Sequence, residues 1–186
     1  MKELLKGELV RLSAVDPAEM GKSLARWNQD SELTRYLDSH LVSLRSAKSI
    51  SDFFEKDLKE ASPFAYPFTI RALDDDRLLG DIGLYVINNW GPQDAFVGLG
   101  IFDRENWGKG YGTDAMKVAL RYAFTELNLR RVTLTVFEYN PRAIRSYEKT
   151  GFQHEGRLRG ALLRDGKRWD MLYMGILRDE WAKRYL

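Results

Sequence analysis

Three glycines at alternate positions, Gly108, Gly110 and Gly112, separate an apolar stretch from a segment with helical patterning. The full run is Phe102-Asp103-Arg104-Glu105-Asn106-Trp107-Gly108-Lys109-Gly110-Tyr111-Gly112-Thr113. Glycine lets the main chain approach a ligand closely and turn its N–H groups inward. A helix starting near Thr113 adds N–H donors without intrahelical partners and the positive end of its dipole. Together these suit a phosphate or pyrophosphate. The same spacing also serves as a tight strand-to-helix turn with nothing bound. Other phosphate motifs fail letter by letter. A dinucleotide fingerprint needs glycine where Thr113 stands, and Gly21-Lys22-Ser23 has Asp16 where a P-loop needs glycine.

A second cluster runs from Asn140 to Phe152. Asn140 suits a helix N-cap, Pro141 the first helical position and Gly151 the stop. Ala143 and Tyr147 then lie one turn apart on one face, and the small alanine leaves room beside the tyrosine for a ligand. Taken alone, Tyr147 also reads as a core aromatic. Metal chemistry has little to stand on: there is no cysteine, and the two histidines, His40 and His154, are far apart and suit the surface.

These clusters need elements to position them. Val132, Leu134 and Val136 alternate with polar partners in a strand over Arg131–Phe137, and the uncharged Ala95–Phe102 predicts a central strand. Glu8–Ser13 reads as an edge strand, Pro17–Glu60 as helical, and Phe68–Ala72 with Leu79–Ile87 as strands around the Asp74-Asp75-Asp76 turn. Asn88–Pro92 is a loop. Helices are predicted over 113–127 and 140–150. A hairpin pairs Phe152–Leu163 with Arg168–Ile176 around Asp165-Gly166, and Arg178–Tyr185 forms a last helix. The pattern is a single α/β domain over residues 1–186: one mixed, mostly antiparallel sheet with helices on both faces.

Composition agrees. The chain has 186 residues, 44% hydrophobic, 12% aromatic and 30% charged, as in an ordinary globular protein. Its 29 basic and 27 acidic residues leave a net charge of +2, which argues against a dedicated nucleic-acid binder. No apolar run approaches the ~18 residues of a membrane span, and the charged start lacks a signal peptide's apolar stretch. A cytoplasmic protein is expected. Aromatics on the hairpin, such as Trp169, leave a homodimer open.

Taken together, the segments resemble the GNAT acyl-CoA N-acetyltransferase superfamily. The glycine run is similar to its pyrophosphate-binding signature, which places Trp107, Gly108, Lys109, Gly110, Tyr111, Gly112 and Thr113 on the cofactor. Asn140, Ala143, Tyr147 and Gly151-Phe152 match its later motif in spacing and order. The stretch from Gly151 to Trp181 resembles the ribosomal-protein N-terminal acetyltransferase branch. Two departures stand out: Trp107 occupies a position that is usually Gln or Arg, and Phe96 appears where many relatives carry a catalytic glutamate.

The resemblance implies GNAT-like splayed central strands and acetyl-CoA as co-substrate, with no metal. It implies that the pantetheine arm pairs with the backbone of Gly100, Ile101 and Phe102. It also implies direct attack by a primary amine, a protein N-terminus or a small molecule, with Tyr147 as general acid. For the base, Glu138 is the first candidate, with Asp81 and Asp103 behind it. Asn140 either orients the cofactor or only caps its helix. Trp27, Tyr66, Trp90 and Arg159 are candidates to line the acceptor pocket. The rival reading is an acyl-CoA-binding module without catalysis.

Overall fold

A computed structural model describes residues 3–37, 43–60, 62–87 and 93–186. The Asn88–Pro92 loop, Trp90 and His40 lie outside them.

The strands are β1 (Val10–Ser13), β2 (Ala65–Ala72), β3 (Leu78–Ile87), β4 (Asp94–Ile101), β5 (Arg131–Phe137), β6 (Gln153–Arg164) and β7 (Lys167–Leu177). They form one seven-stranded sheet in the order β1-β2-β3-β4-β5-β7-β6, with β4 at its centre as its lack of charge predicts. Every pairing is antiparallel except β4–β5, which runs parallel.

The helices are α1 (Pro17–Trp27), α2 (Ser31–Leu37), α3 (Ala47–Lys59), α4 (Tyr111–Thr125), α5 (Pro141–Thr150) and α6 (Arg178–Tyr185). The helical stretch read over Pro17–Glu60 is thus several helices. Asp16 caps α1 by accepting from the N–H groups of Ala18 and Glu19, and Ser46 caps α3. A 3-10 turn at Arg104–Asn106 had no clear sequence signal. Two apolar clusters lie on the two faces of the sheet. The larger packs α4 and α5 against the strands through residues such as Met116, Leu120 and Phe124. The smaller joins Met20, Trp27 and Leu33 to Phe102.

Asp114, in the first turn of α4, is buried, and its carboxylate accepts from the N–H groups of Leu9 (2.7 Å) and Val10 (3.0 Å). It fastens the edge strand to the helix that leaves the glycine run. On the hairpin, Trp169 packs edge-on against Tyr139 (5.3 Å) with Lys167 over its ring. Trp169 is half-buried rather than exposed and so does not favour the homodimer that the sequence leaves open. Among the described residues no helix is long and apolar enough to cross a membrane.

Candidate active site

The parallel seam is short. Strands β4 and β5 pair only at Asp94–Arg131, Ala95–Val132 and Phe96–Thr133, and then diverge. The gap beyond is a cleft of about 530 Å³, with Val97 to Leu99 and Ile101 on one wall, Thr135 to Phe137 on the other, and the glycine run at its mouth.

Strand parity decides which backbone groups face this gap. The Phe102 N–H donates to the Leu79 carbonyl at 3.0 Å, and Gly100 sits opposite Asp81 in the β3–β4 ladder. Peptide groups alternate in direction along a strand, so those of Val97, Leu99 and Ile101 turn toward the gap. Of the three residues expected to pair with a pantetheine arm, only Ile101 qualifies. Gly100 and Phe102 direct their main chain to β3 and line a different cavity. The Ile101 carbonyl is already taken by the Trp107 indole N–H at 2.7 Å. The departure at Trp107 therefore has a structural role: it ties the loop to the end of β4.

At the mouth, Gly108 and Gly110 have φ of +75° and +90°, the left-handed region that costs other residues free energy. Gly110 is the N-cap of α4 and supplies no side-chain cap, so the first N–H groups of the helix stay available. The helix starts at Tyr111, two residues earlier than predicted, because Gly110 makes the turn. Gly108, Gly110, Tyr111, Gly112 and Thr113 line the cleft, whereas Lys109 is exposed and does not. Thr113 Oγ1 and Ser146 Oγ lie 2.7 Å apart and join α4 to α5.

From α5, Asn140, Ala143 and Tyr147 all reach the cleft. Asn140 Oδ1 accepts from the Ala143 N–H at 3.1 Å, so the cap is real, and the residue also lines the cavity. Tyr147 is 9% exposed, and burial pushes its phenol up to about 12. Two contributors were not read from sequence. The Arg142 guanidinium stacks 3.5 Å from the Trp107 ring centre, and Tyr36 of α2 meets the same ring edge-on at 5.8 Å. Arg142 forms no ion pair with a described residue, and burial lowers its pKa. Its place two residues after the Asn140 cap was the only available signal.

Glu138 does not reach the cleft. Its carboxylate accepts from the Asp170 N–H at 2.8 Å and from Arg157 at 3.3 Å, which makes it a brace between β5 and the hairpin. Asp103 caps the 3-10 turn through the Glu105 N–H. Phe96 is half-buried and lines neither cavity. Trp27 packs on Phe102 at 5.1 Å, Tyr66 lies against Tyr122, and Arg159 is exposed; none of the three lines the cleft or its neighbour. Among the described residues no group of His, Cys, Asp and Glu is placed to hold a metal ion.

That neighbouring cavity, about 630 Å³, lies under α1, α2 and the segment before α3. It shares Leu37, Gly98 and Leu99 with the cleft and includes Asp81, which burial pushes up to about 7.

Comparison with known proteins agrees with this geometry. Residues 10–153 match the family model described as "Acetyltransferase (GNAT) domain". The "Probable N-acetyltransferase YjcK" of Bacillus subtilis is 28% identical over 95% of this chain and 98% of its own. The "Putative ribosomal N-acetyltransferase YdaF" of the same organism is 34% identical over 59% of this chain and 58% of its own. A crystal structure of Vibrio cholerae spermidine N-acetyltransferase, in complex with CoA and spermine, superposes with a TM-score of 0.79. It is 25% identical and covers 93% of this chain and 98% of that one. With most of its length matched, its central strands splayed and the glycine run at the mouth of the gap, the chain belongs to the GNAT acetyltransferase family.

Proposed function

We propose that the chain transfers the acetyl group of acetyl-CoA to a primary amine by direct attack of the amine on the thioester. The opened β4–β5 seam carries this reading. It presents the unpaired peptide groups of Leu99, just past the last β4–β5 bridge, and ends on an uncapped helix start that follows the positive-φ glycines Gly108 and Gly110. An extended amide-bearing arm extends the sheet at such an edge. A diphosphate sits at the helix start, where N–H donors and the dipole favour negative charge. Arg142, stacked on Trp107, supplies a positive charge beside it.

Tyr147 stands in the wall of the same cleft and serves as the proton donor to the departing sulfur. Burial keeps the phenol protonated at any working pH. The same burial raises the proton affinity of the thiolate leaving beside it, which narrows the gap between donor and acceptor. Much of the acceleration comes from holding amine and thioester together.

The acceptor enters from the second cavity. Among its described lining residues there is one carboxylate, Asp81, and one guanidinium, Arg45. A polyamine carries several cations and finds a single counter-charge there, with a like charge beside it. This composition favours an acceptor with one amine, such as the N-terminus of a ribosomal or other protein. A co-substrate made inside cells and a chain without cysteine fit a cytoplasmic enzyme.

The test is thiol release from acetyl-CoA against an alanine-initiated peptide, spermidine and an amino sugar. Release that depends on the peptide supports the reading. Tight acetyl-CoA binding with no transfer to any amine overturns it in favour of a non-catalytic sensor.

A further inference from the structure

We propose that Asp81 is the general base of the transfer, taking the proton of the attacking amine from the α1–α2 face of the sheet. The proposal rests on the acetyl-transfer reading and supplies the residue that reading lacks.

Register sets the geometry. Asp81 pairs with Gly100 and Gly83 with Gly98, so these four residues share the face opposite α4. Three are glycines, but Tyr85 lies over Gly83 and the Phe102 ring and Leu37 lie over Gly100, so the sheet is open only at Gly98. A Cβ built on Gly100 would lie 3.3 Å from Asp81 Oδ1 and collide with Leu37 and the Phe102 ring; one on Gly98 would meet nothing within 4 Å. The open backbone at Gly98 leaves a passage across β4 toward the strand edge assigned to the acetyl-bearing arm. Gly98, Leu99 and Leu37 line both cavities, so an amine held beside Asp81 has a route to the thioester.

Few charged groups face this carboxylate. Arg45 reaches the same cavity from the segment before α3, though its guanidinium is engaged with the Ser49 carbonyl at 3.0 Å. Tyr85 folds back along β3 over Gly83, and burial first, then the charges of Asp81 and of Asp57 on α3, raise its pKa. Across β2, Thr69 is occupied with Ser13 at 2.8 Å. No described basic residue bonds Asp81, and burial holds it near neutrality, the value a general base at working pH requires.

The step balances. The neutral amine's lone pair forms the N–C bond, and the thioester C=O electrons move onto oxygen. Asp81 takes one proton from nitrogen. Collapse re-forms C=O and breaks C–S, and the sulfur takes a proton from Tyr147. The Asp81 proton then returns to the tyrosinate through solvent, giving amide and free thiol.

The experiment measures thiol release from acetyl-CoA with the alanine-initiated peptide, spermidine and glycinamide as acceptors. It compares the wild type, Asp81→Asn and Asp81→Glu. Asp81→Asn is expected to lower kcat by ~10²–10⁴-fold, with acetyl-CoA affinity within twofold by calorimetry. Asp81→Glu should recover part of the loss. In the wild type, the acid limb of kcat should fall near pH 7 for every acceptor used, whatever that amine's own pKa; this holds even if a variant fails to fold. A kcat within threefold for Asp81→Asn, or a limb that tracks the acceptor's pKa, overturns the base role and leaves acetyl transfer standing. If the wild type binds acetyl-CoA and transfers to none of the three, both readings fall.

Discussion

Replacing Gly110 and Gly112 separately by alanine tests whether the glycine run acts through backbone conformation or merely through small size. At Gly110 the main chain has φ +90°, and an added Cβ would lie 3.2 Å from Leu9 Cδ1. That side chain can yield, so the cost is conformational, about 1–2 kcal/mol for a residue forced into the left-handed region. At Gly112 the backbone is helical, and a Cβ would meet Leu99 and Ile101 at 3.5 Å, an ordinary contact. Alanine there gains ~1 kcal/mol of helix propensity. Calorimetric titration with CoA and thermal denaturation should therefore separate the two. Gly110→Ala should lose ~1–2 kcal/mol of stability or, if the loop relaxes instead, bind CoA roughly tenfold more weakly, about 1.4 kcal/mol. Gly112→Ala should keep its affinity within twofold and melt at a higher temperature. Equal losses at both positions, or no effect at Gly110, would refute the conformational argument.

Tyr147→Phe should lower kcat by ~10²-fold or more with CoA affinity unchanged. Because the phenol is pushed up to about 12, no alkaline limb from Tyr147 should appear below pH 10 in the wild-type rate profile. Asp114→Ala removes two charge-assisted hydrogen bonds, from the Leu9 and Val10 N–H groups at the start of β1, and should cost about 3 kcal/mol in a urea titration. Trp107→Phe releases the Ile101 carbonyl and weakens the Arg142 stack; calorimetry should show CoA binding several-fold weaker with the fold intact by circular dichroism. Asp81 has a folded pKa above its unfolded value, so its contribution to stability is full below about pH 4 and is lost as pH rises toward 7. Asp81→Asn should accordingly stabilise the protein at pH 8, by at most ~4 kcal/mol at 1.36 kcal/mol per pKa unit, and change little at pH 4.

Strand β5, helix α5 with its cap and stop, the hairpin turn and the centrality of β4 were legible because short-range patterns encode them. Parity along β4 was not. The strand is covered on both faces, so its sequence does not say whether odd or even peptide groups face the gap; the ladder with β3 decides it. Glu138 looked available from its place at the end of β5, but Arg157 and Asp170, which occupy it, come from the later hairpin. Asp81 ranked behind Glu138 as a base candidate, because the cover over it comes from helices and a segment 36 to 57 residues earlier in the chain. Arg142 over Trp107 is likewise a contact between motifs thirty-five residues apart, which neither motif announces.

The three residue pairs that join β4 to β5 make the sheet two leaves held at a narrow hinge, with α4 bridging them along one side. Beyond Phe96 no hydrogen-bonded ladder resists their parting. A long ligand wedged between them replaces that missing ladder and makes the halves melt as one body. At a hundred times its dissociation constant, such a ligand adds about 2.7 kcal/mol to the native state. Amide exchange should slow most along Val97–Ile101 and Thr135–Phe137, far from where the nucleotide end rests.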